Sequence, residues 1–138
     1  TPAEETHIHR PPPSLLDMVR GGLLGALWTY GLAVVRRLLA TKDWFEAWEA
    51  EVLGDRRCAR LERMTVLPAR QGQGVGSRAL REVMAEADAE GLAVVLYTQE
   101  ARNLTFYGRL GFEVVAEKEC PVGAGYRNWM MVREPKKL

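Results

Sequence analysis

The chain has little of several things that would each narrow its role. Of 138 residues only two are cysteine, Cys58 and Cys120, and neither stands at a metal-ligand spacing from another. One possible disulfide is not the dense framework of a small secreted domain, so a reducing cytoplasm is the expected setting. The two histidines, His7 and His9, both fall in the opening "TPAEETHIHRPPP". Two ligands without a third make no metal site, and no metal is expected. Neither sign of charge is in excess: 19 Lys and Arg against 18 Asp and Glu leave a net charge of +1. That balance lacks the electrostatic footprint of a DNA- or RNA-binding protein. No basic start followed by an early apolar core marks a signal peptide. The longest uncharged run, Gly21 to Val35, contains Gly21, Gly22, Gly25 and Gly31. As a helix it rises roughly 22 Å against a hydrocarbon thickness of roughly 30 Å, so a membrane span is not expected.

What is present suits one packed domain, since 47% of residues are hydrophobic and 27% charged. Residues 1–13, with three consecutive prolines, read as an extended tail. Residues 14–57 read as a helical lead-in. Ser14 and Asp17 form a capping-box pattern ahead of "LLDMVRGGLLGALWTYGLAVVRRLLA", with Arg36 and Arg37 near its end. The expectation is a buried helix, or two short ones broken at a glycine. A second helix, "DWFEAWEAEVLG", takes Asp43 as cap and Gly54 as stop, with Trp44, Trp48 and Val52 on one face.

Residues 58–138 carry the core. Residues 59–66, "ARLERMTV", read as a strand ended by Pro68. Val75, Ala79, Leu80, Val83, Met84 and Ala87 then recur at helical spacing up to Gly91. "LAVVLYT", 92–98, is a continuous apolar run of the kind found in strands covered on both faces. Strand, helix and buried strand make a right-handed βαβ unit. A short helix, "ARNLTFYGRLG", leads to "FEVVAEKE" and, across a turn at 121–125, to "YRNWMMVRE", which read as paired antiparallel strands. The closing "REPKKL" reads as a frayed tail.

The informative segment is "PARQGQGVGSRAL", 68–80, where Gly72, Gly74 and Gly76 stand between a strand and a helix. Each glycine costs about 1 kcal/mol against alanine where a helix must form, so three at a helix entrance require a reason. Such a turn aims several backbone N–H groups at one point, where the helix dipole also favours negative charge. Bare glycines let a phosphate reach those amides, and Gln71 can donate or accept at the rim. A Walker A loop would need Gly-Lys-Ser/Thr, whereas Gly76 is followed by Ser77 and Arg78. A dinucleotide fingerprint would need Gly or Ala where Ser77 stands and an acidic residue ending the next strand, which instead ends Tyr97-Thr98-Gln99.

The pattern Gln71-Gly72-Gln73-Gly74-Val75-Gly76 resembles the signature that follows the fourth strand in the GNAT superfamily of acyl-CoA-dependent N-acetyltransferases. A second block, "RNLTFYGRLGFEVV", is similar to the family's Asn-x-x-Phe-Tyr-x-x-x-Gly-Phe segment, with Asn103, Phe106, Tyr107, Gly111 and Phe112 in register. Both blocks lie in the expected element order over residues 59–133. The lead-in with "RLERMTVLPARQGQGVGS" is also similar to the branch containing puromycin-type acetyltransferases. The fold implied is α/β: a GNAT-like mixed sheet with a βαβαββ core, 59–133, preceded by helical segments.

The resemblance also implies a reaction, in which acetyl-CoA gives its acetyl group to a primary amine of a small molecule by direct attack. The diphosphate of coenzyme A is implied to rest on residues 72–76 and Ser77, with Arg78 near remaining charge. Its pantetheine arm is implied to pair with backbone groups of Met64, Thr65 and Val66, as an added strand pairs with a sheet edge. Asn103 and Phe106 are implied to order that arm. Tyr107 stands where the family keeps its general acid: a phenol of pKa about 10 can protonate a leaving thiolate at little cost. It can equally be a packing tyrosine. Glu62 is the candidate base for the amine, although it can instead pair with Arg60 or Arg63.

Family members place about three strands and two helices ahead of the fourth strand, and here only the tail and helical stretches precede Ala59. The expectation is that those strands are missing, through truncation or loss. Strand 59–66 then has an exposed edge, which predicts self-association. A second functional reading follows: a non-catalytic or truncated CoA-binding or regulatory module without an acceptor site. Membrane attachment through residues 15–39 is a third idea.

Overall fold

The computed structural model describes residues 14–62, 64–123 and 125–137. It divides into two compact units. One comprises the described residues up to Asp55 together with Glu119–Tyr126; the other comprises Arg56–Lys118 and Arg127 onward.

The first unit is mainly helical. The Ser14 hydroxyl accepts the Asp17 N–H at 3.2 Å, and the Asp17 carboxylate accepts the Ser14 N–H at 3.0 Å, so the expected capping box is formed. It starts α1 (Leu15–Met18), which runs through a π-helical turn at Val19–Leu23 into α2 (Leu24–Leu53). Breaks fall at Gly22 (φ 107°) and Gly31 (φ 82°, ψ 166°). The separate helix expected to start at Asp43 does not exist, because α2 passes straight through. The Thr41 hydroxyl donates to the Arg37 carbonyl at 2.8 Å, and Lys42 pairs with Glu46 at 2.7 Å one turn on. No residue in 40–43 has a reason to break the ladder, and Asp43 caps nothing. Gly54 does end the helix, its N–H reaching the Ala50 carbonyl at 3.0 Å.

Of the two expectations for 14–40, the break at a glycine is met at Gly22 and Gly31, whereas burial of the helix is corrected. Within α2 only Val35 and Trp48 are buried, and Trp28 is 93% exposed. A Cβ built on Gly21, Gly25 or Gly31 meets nothing within 4 Å, so among the described residues none packs closely on these glycines. By length and composition alone the helical stretch Leu15–Leu53 is apolar enough to cross a membrane, with a mean hydropathy of 1.4 over its best window.

The second unit holds most of the sheet. Strands β1 (Cys58–Arg60), β2 (Ala93–Thr98), β3 (Glu113–Cys120) and β4 (Tyr126–Arg133) stand in the order β1-β2-β4-β3. β1 runs parallel to β2, with Ala59 opposite Val94; β2 runs antiparallel to β4, with Leu96 opposite Met131. Paired on both sides, β2 is the centre of the core: Val94, Val95 and Leu96 are at most 2% exposed, as are Met130 and Met131 of β4. Helix α3 (Val75–Ala89) is the crossover between β1 and β2 and buries Leu80, Met84 and Ala87. Val75 and Val83 are exposed, so the buried stripe is narrower than the apolar pattern suggests. Helix α4 (Ala101–Gly108) links β2 to β3.

Two expectations change in this unit. The strand predicted over 59–66 pairs only through Arg60, its final ladder bond being Leu61 N–H to Val95 C=O at 2.9 Å. Beyond it the chain leaves β2 for a 3₁₀ turn at Pro68–Arg70, and Met64 and Val66 pack on the glycine loop instead. The tail predicted to fray is anchored as far as Lys136. Arg133 donates both terminal nitrogens to Asp88 at 2.7 Å each, Lys136 N–H reaches the same carboxylate at 2.8 Å, and Glu134 pairs with Arg56.

Candidate functional site

The site starts from the turn that opens α3. After the 3₁₀ turn, in which Arg70 N–H donates to Leu67 C=O at 2.8 Å, the chain makes two left-handed residues, Gly72 (φ 75°) and Gly74 (φ 72°). A side chain is strained at either, and neither built Cβ meets any atom within 4 Å. Gly76 is bare for a different reason: its Cβ would lie 3.3 Å from Val66 Cγ2 and 3.4 Å from Met64 Cε. Two glycines therefore shape the loop, and the third lets the helix lie against the segment leaving β1.

Gly74 is the N-cap of α3 and has no side chain to offer its first turn. The helix closes its first bond from Arg78 N–H to Gly74 C=O at 3.0 Å, leaving the earlier amides for a ligand or water. They border a cavity of about 290 Å³ lined by Met64, Val66, residues 70–72 and 74–77 of the loop, and Phe106.

The two loop glutamines are exposed and brace the loop, and Gln71 also lines the cavity, at the rim position expected of it. Gln71 Nε2 donates to Val66 C=O at 3.1 Å, and Gln73 Nε2 donates to Ala69 C=O at 3.2 Å. These bonds hold the loop in shape, a function the rim position expected for Gln71 did not include. Met64, Val66, Gly72, Gly74, Val75, Gly76 and Ser77 all face the one cavity. Thr65, between two neighbours that line the cavity, is exposed. Arg78 lines the adjoining groove with Arg70 and Glu82.

The second block sits on α4. Asn103 Nδ2 donates to the Thr98 hydroxyl at 2.9 Å, and Glu100 N–H reaches the same oxygen at 3.3 Å. Thr98, only 4% exposed, thereby ties the start of α4 to the end of β2. Sequence reasoning passed over it; the signal was a hydroxyl ending an otherwise apolar strand. Gln99 and Asn128 add a second polar link there, at 2.7 Å. Tyr107 is half-buried, its ring edge-on to Phe106 at 5.1 Å and to Phe112 at 5.7 Å. Burial pushes its phenol above the ordinary value, so it stays protonated at neutral pH. Phe106 borders the glycine cavity, whereas Tyr107 and Glu62 do not; Glu62 is exposed just past the last β1 bond. Among the described residues no group of three or more His, Cys, Asp or Glu is placed to hold a metal. His7 and His9 lie outside the described residues.

A family model for the GNAT acetyltransferase domain matches residues 32–114, which includes the whole glycine loop and α4. The chain belongs to the GNAT acetyltransferase family. Among solved structures it is similar to a GNAT-family protein from Desulfovibrio desulfuricans, at 27% identity and a TM-score of 0.51, covering 56% of this chain and 52% of that one. It is also similar in fold to the ribosomal-protein-S18-alanine N-acetyltransferase of Escherichia coli, at 23% identity and a TM-score of 0.51, covering 58% and 56%. The chain thus spans about half the length of these relatives. The match is to the GNAT family as a whole, and nothing in it singles out the puromycin-type branch. The mixed four-stranded sheet is that of a GNAT α/β fold.

Proposed function

We propose that this GNAT protein transfers the acetyl group of acetyl-CoA to a primary amine of a small molecule by direct attack. The observation that carries this reading is the loop at the head of α3: Gly72 and Gly74 in left-handed backbone with open space around them, and Gly76 seated on Met64 and Val66. In this reading the amides of residues 72–76 and Ser77 receive the diphosphate of the donor. Met64, Thr65 and Val66, which no strand pairs beyond Leu61, offer backbone groups to the pantetheine arm. Asn103 and Phe106 order that arm from α4. The amine nitrogen bonds to the thioester carbon and the carbon–sulfur bond breaks. Glu62, directly or through water, takes the amine proton, and Tyr107 gives its proton to the departing thiolate. For Tyr107, which does not line the cavity, to do so, the bound donor must bring its sulfur past Phe106 to the phenol.

Supporting elements belong to the same proposal: a lead-in at 14–57, a CoA-binding core at 58–138, and a cytoplasmic location; the tail expected at 1–13 lies outside the described residues. β1 is an end strand of the sheet, and its open edge supports self-association through the segment from 59 to 66. A dimer by light scattering at tens of micromolar is the expected result, and a clean monomer removes that part.

Calorimetry with acetyl-CoA tests the whole. Binding is expected, and Gly74→Glu, which places a carboxylate where the diphosphate would rest, is expected to abolish it. A wild-type protein that fails to bind overturns the reading. Thiol release over a panel of amines then tests transfer, with Tyr107→Phe expected to lower kcat by about 10²-fold while leaving donor affinity unchanged. One observation favours a second reading, a CoA-binding module without an acceptor site: the chain spans only about half of its solved relatives. Donor binding without amine-dependent thiol release selects it.

A further inference from the structure

A second cavity, of about 400 Å³, lies between α3, the turn after α4 and the end of β4. Arg81, Arg109, Arg133 and Lys136 line it, with Asp88 the sole carboxylate among its lining residues. That carboxylate is fully committed, accepting two bonds from Arg133 and one from Lys136 N–H. The side chains of Arg81, Arg109 and Lys136 therefore leave the cavity with an excess of positive charge.

An independent observation points to a ligand. Arg133 is 4% exposed, and its Nε is buried with no hydrogen-bond partner. It lies 3.7 Å from where a side chain on Gly111 would begin, and Gly111 itself lines the cavity. A plainer account is that the cations answer the negative end of α4, which Arg109 caps. It explains Arg109, but neither Arg81 in the middle of α3 nor the unpaired Arg133 Nε.

We propose that this cavity binds a phosphate monoester dianion. Three flexible cations suit a group with three equivalent oxygens and two charges better than they suit a single carboxylate. Two sources share that chemistry. Arg81 lies five residues along α3 from Gly76, roughly 7 Å of rise and about 140° around the helix, so the 3′-phosphate of a coenzyme A that reaches around α3 from the glycine loop is one. A separate phosphorylated small molecule is the other. The first source rests on the proposed function; the second does not.

Thermal unfolding of the full chain with inorganic phosphate, against chloride at matched ionic strength, is the first arm. Phosphate is expected to raise Tm by several degrees, and the Arg81→Gln/Arg109→Gln double variant is expected to lose the shift while keeping its phosphate-free Tm. A shift no larger than with chloride, or one that persists in the double variant and so arises at the glycine loop, overturns the proposal. Lys136→Gln provides a second variant should the double variant fold poorly. Calorimetry with coenzyme A and 3′-dephospho-CoA is the second arm. A preference for coenzyme A of about tenfold that disappears in the variant identifies the coenzyme as the source. Equal affinities, or no binding of either, together with the phosphate shift identify a separate ligand.

Discussion

Strand β2 and the first half of α2 are both apolar tracts, yet Val94, Val95 and Leu96 are at most 2% exposed while Trp28 and Leu32 stand at 93% and 58%. The difference lies in where each backbone finds its hydrogen bonds. A helix satisfies its own ladder and can stand without neighbours. A strand must borrow partners, and β2 has β1 on one side and β4 on the other. Those partners bring side chains and crossover helices with them, so pairing of the backbone draws the apolar side chains into a core. Apolar composition by itself did not produce burial.

The comparison can be broken most directly at its buried end. Leu96→Ala is expected to cost about 3–4 kcal/mol by urea denaturation, since the site is closed on all sides and a cavity remains. A cost under about 1 kcal/mol would mean that β2 is not the centre of the core. Asp88→Asn comes next, at about 2–3 kcal/mol, because it leaves the Arg133 guanidinium buried with half its partner gone. A neutral result would show that the tail from 133 to 136 is not anchored by this pair.

Acid sharpens the same contact. Arg133 holds the Asp88 carboxyl down from 3.8 to about 2. A folded-state value below the unfolded one means that the unfolded chain binds the proton more readily, so the stabilisation is full above about pH 5 and fades as pH falls from about 4 through 2. The loss amounts to roughly 2 kcal/mol. In Asp88→Asn this part of the acid slope should vanish, and an unchanged slope would assign it to other carboxylates. The smallest effect is expected at the exposed end: Leu32→Ser and Trp28→Ser should each change stability by less than about 0.5 kcal/mol. A cost near that of Leu96→Ala would show the tract to be covered in solution. Liposome co-sedimentation of the same variants tests attachment to a membrane.

Much of the α/β unit was legible before any coordinates. The period change around Val75, the continuous run at 92–98 and the turn at 121–125 each place an element, because in each the local pattern and the eventual packing agree. The glycine spacing likewise marks the head of α3. Less legible was the division of labour among the glycines, since Gly76 is explained only by Met64 and Val66 arriving from a segment ten or more residues earlier. Thr98 was passed over because its partner, Asn103, lies beyond a strand end whose geometry no single-residue pattern reveals. The start assigned to Asp43 failed for the opposite reason: aspartate is a good cap, but nothing in 40–43 stops a helix already under way.

The sequence by itself determined the GNAT-like order of elements, the glycine turn and the sites where the chain must bend, because those depend on short-range periodicity and on which residues tolerate left-handed backbone. Only the tertiary structure decided how far β1 pairs before leaving β2, that the C-terminal arginine is locked onto Asp88, and that the apolar lead-in stays uncovered. Each of these depends on partners distant in the chain, and local chemistry carries no information about which partner will be within reach.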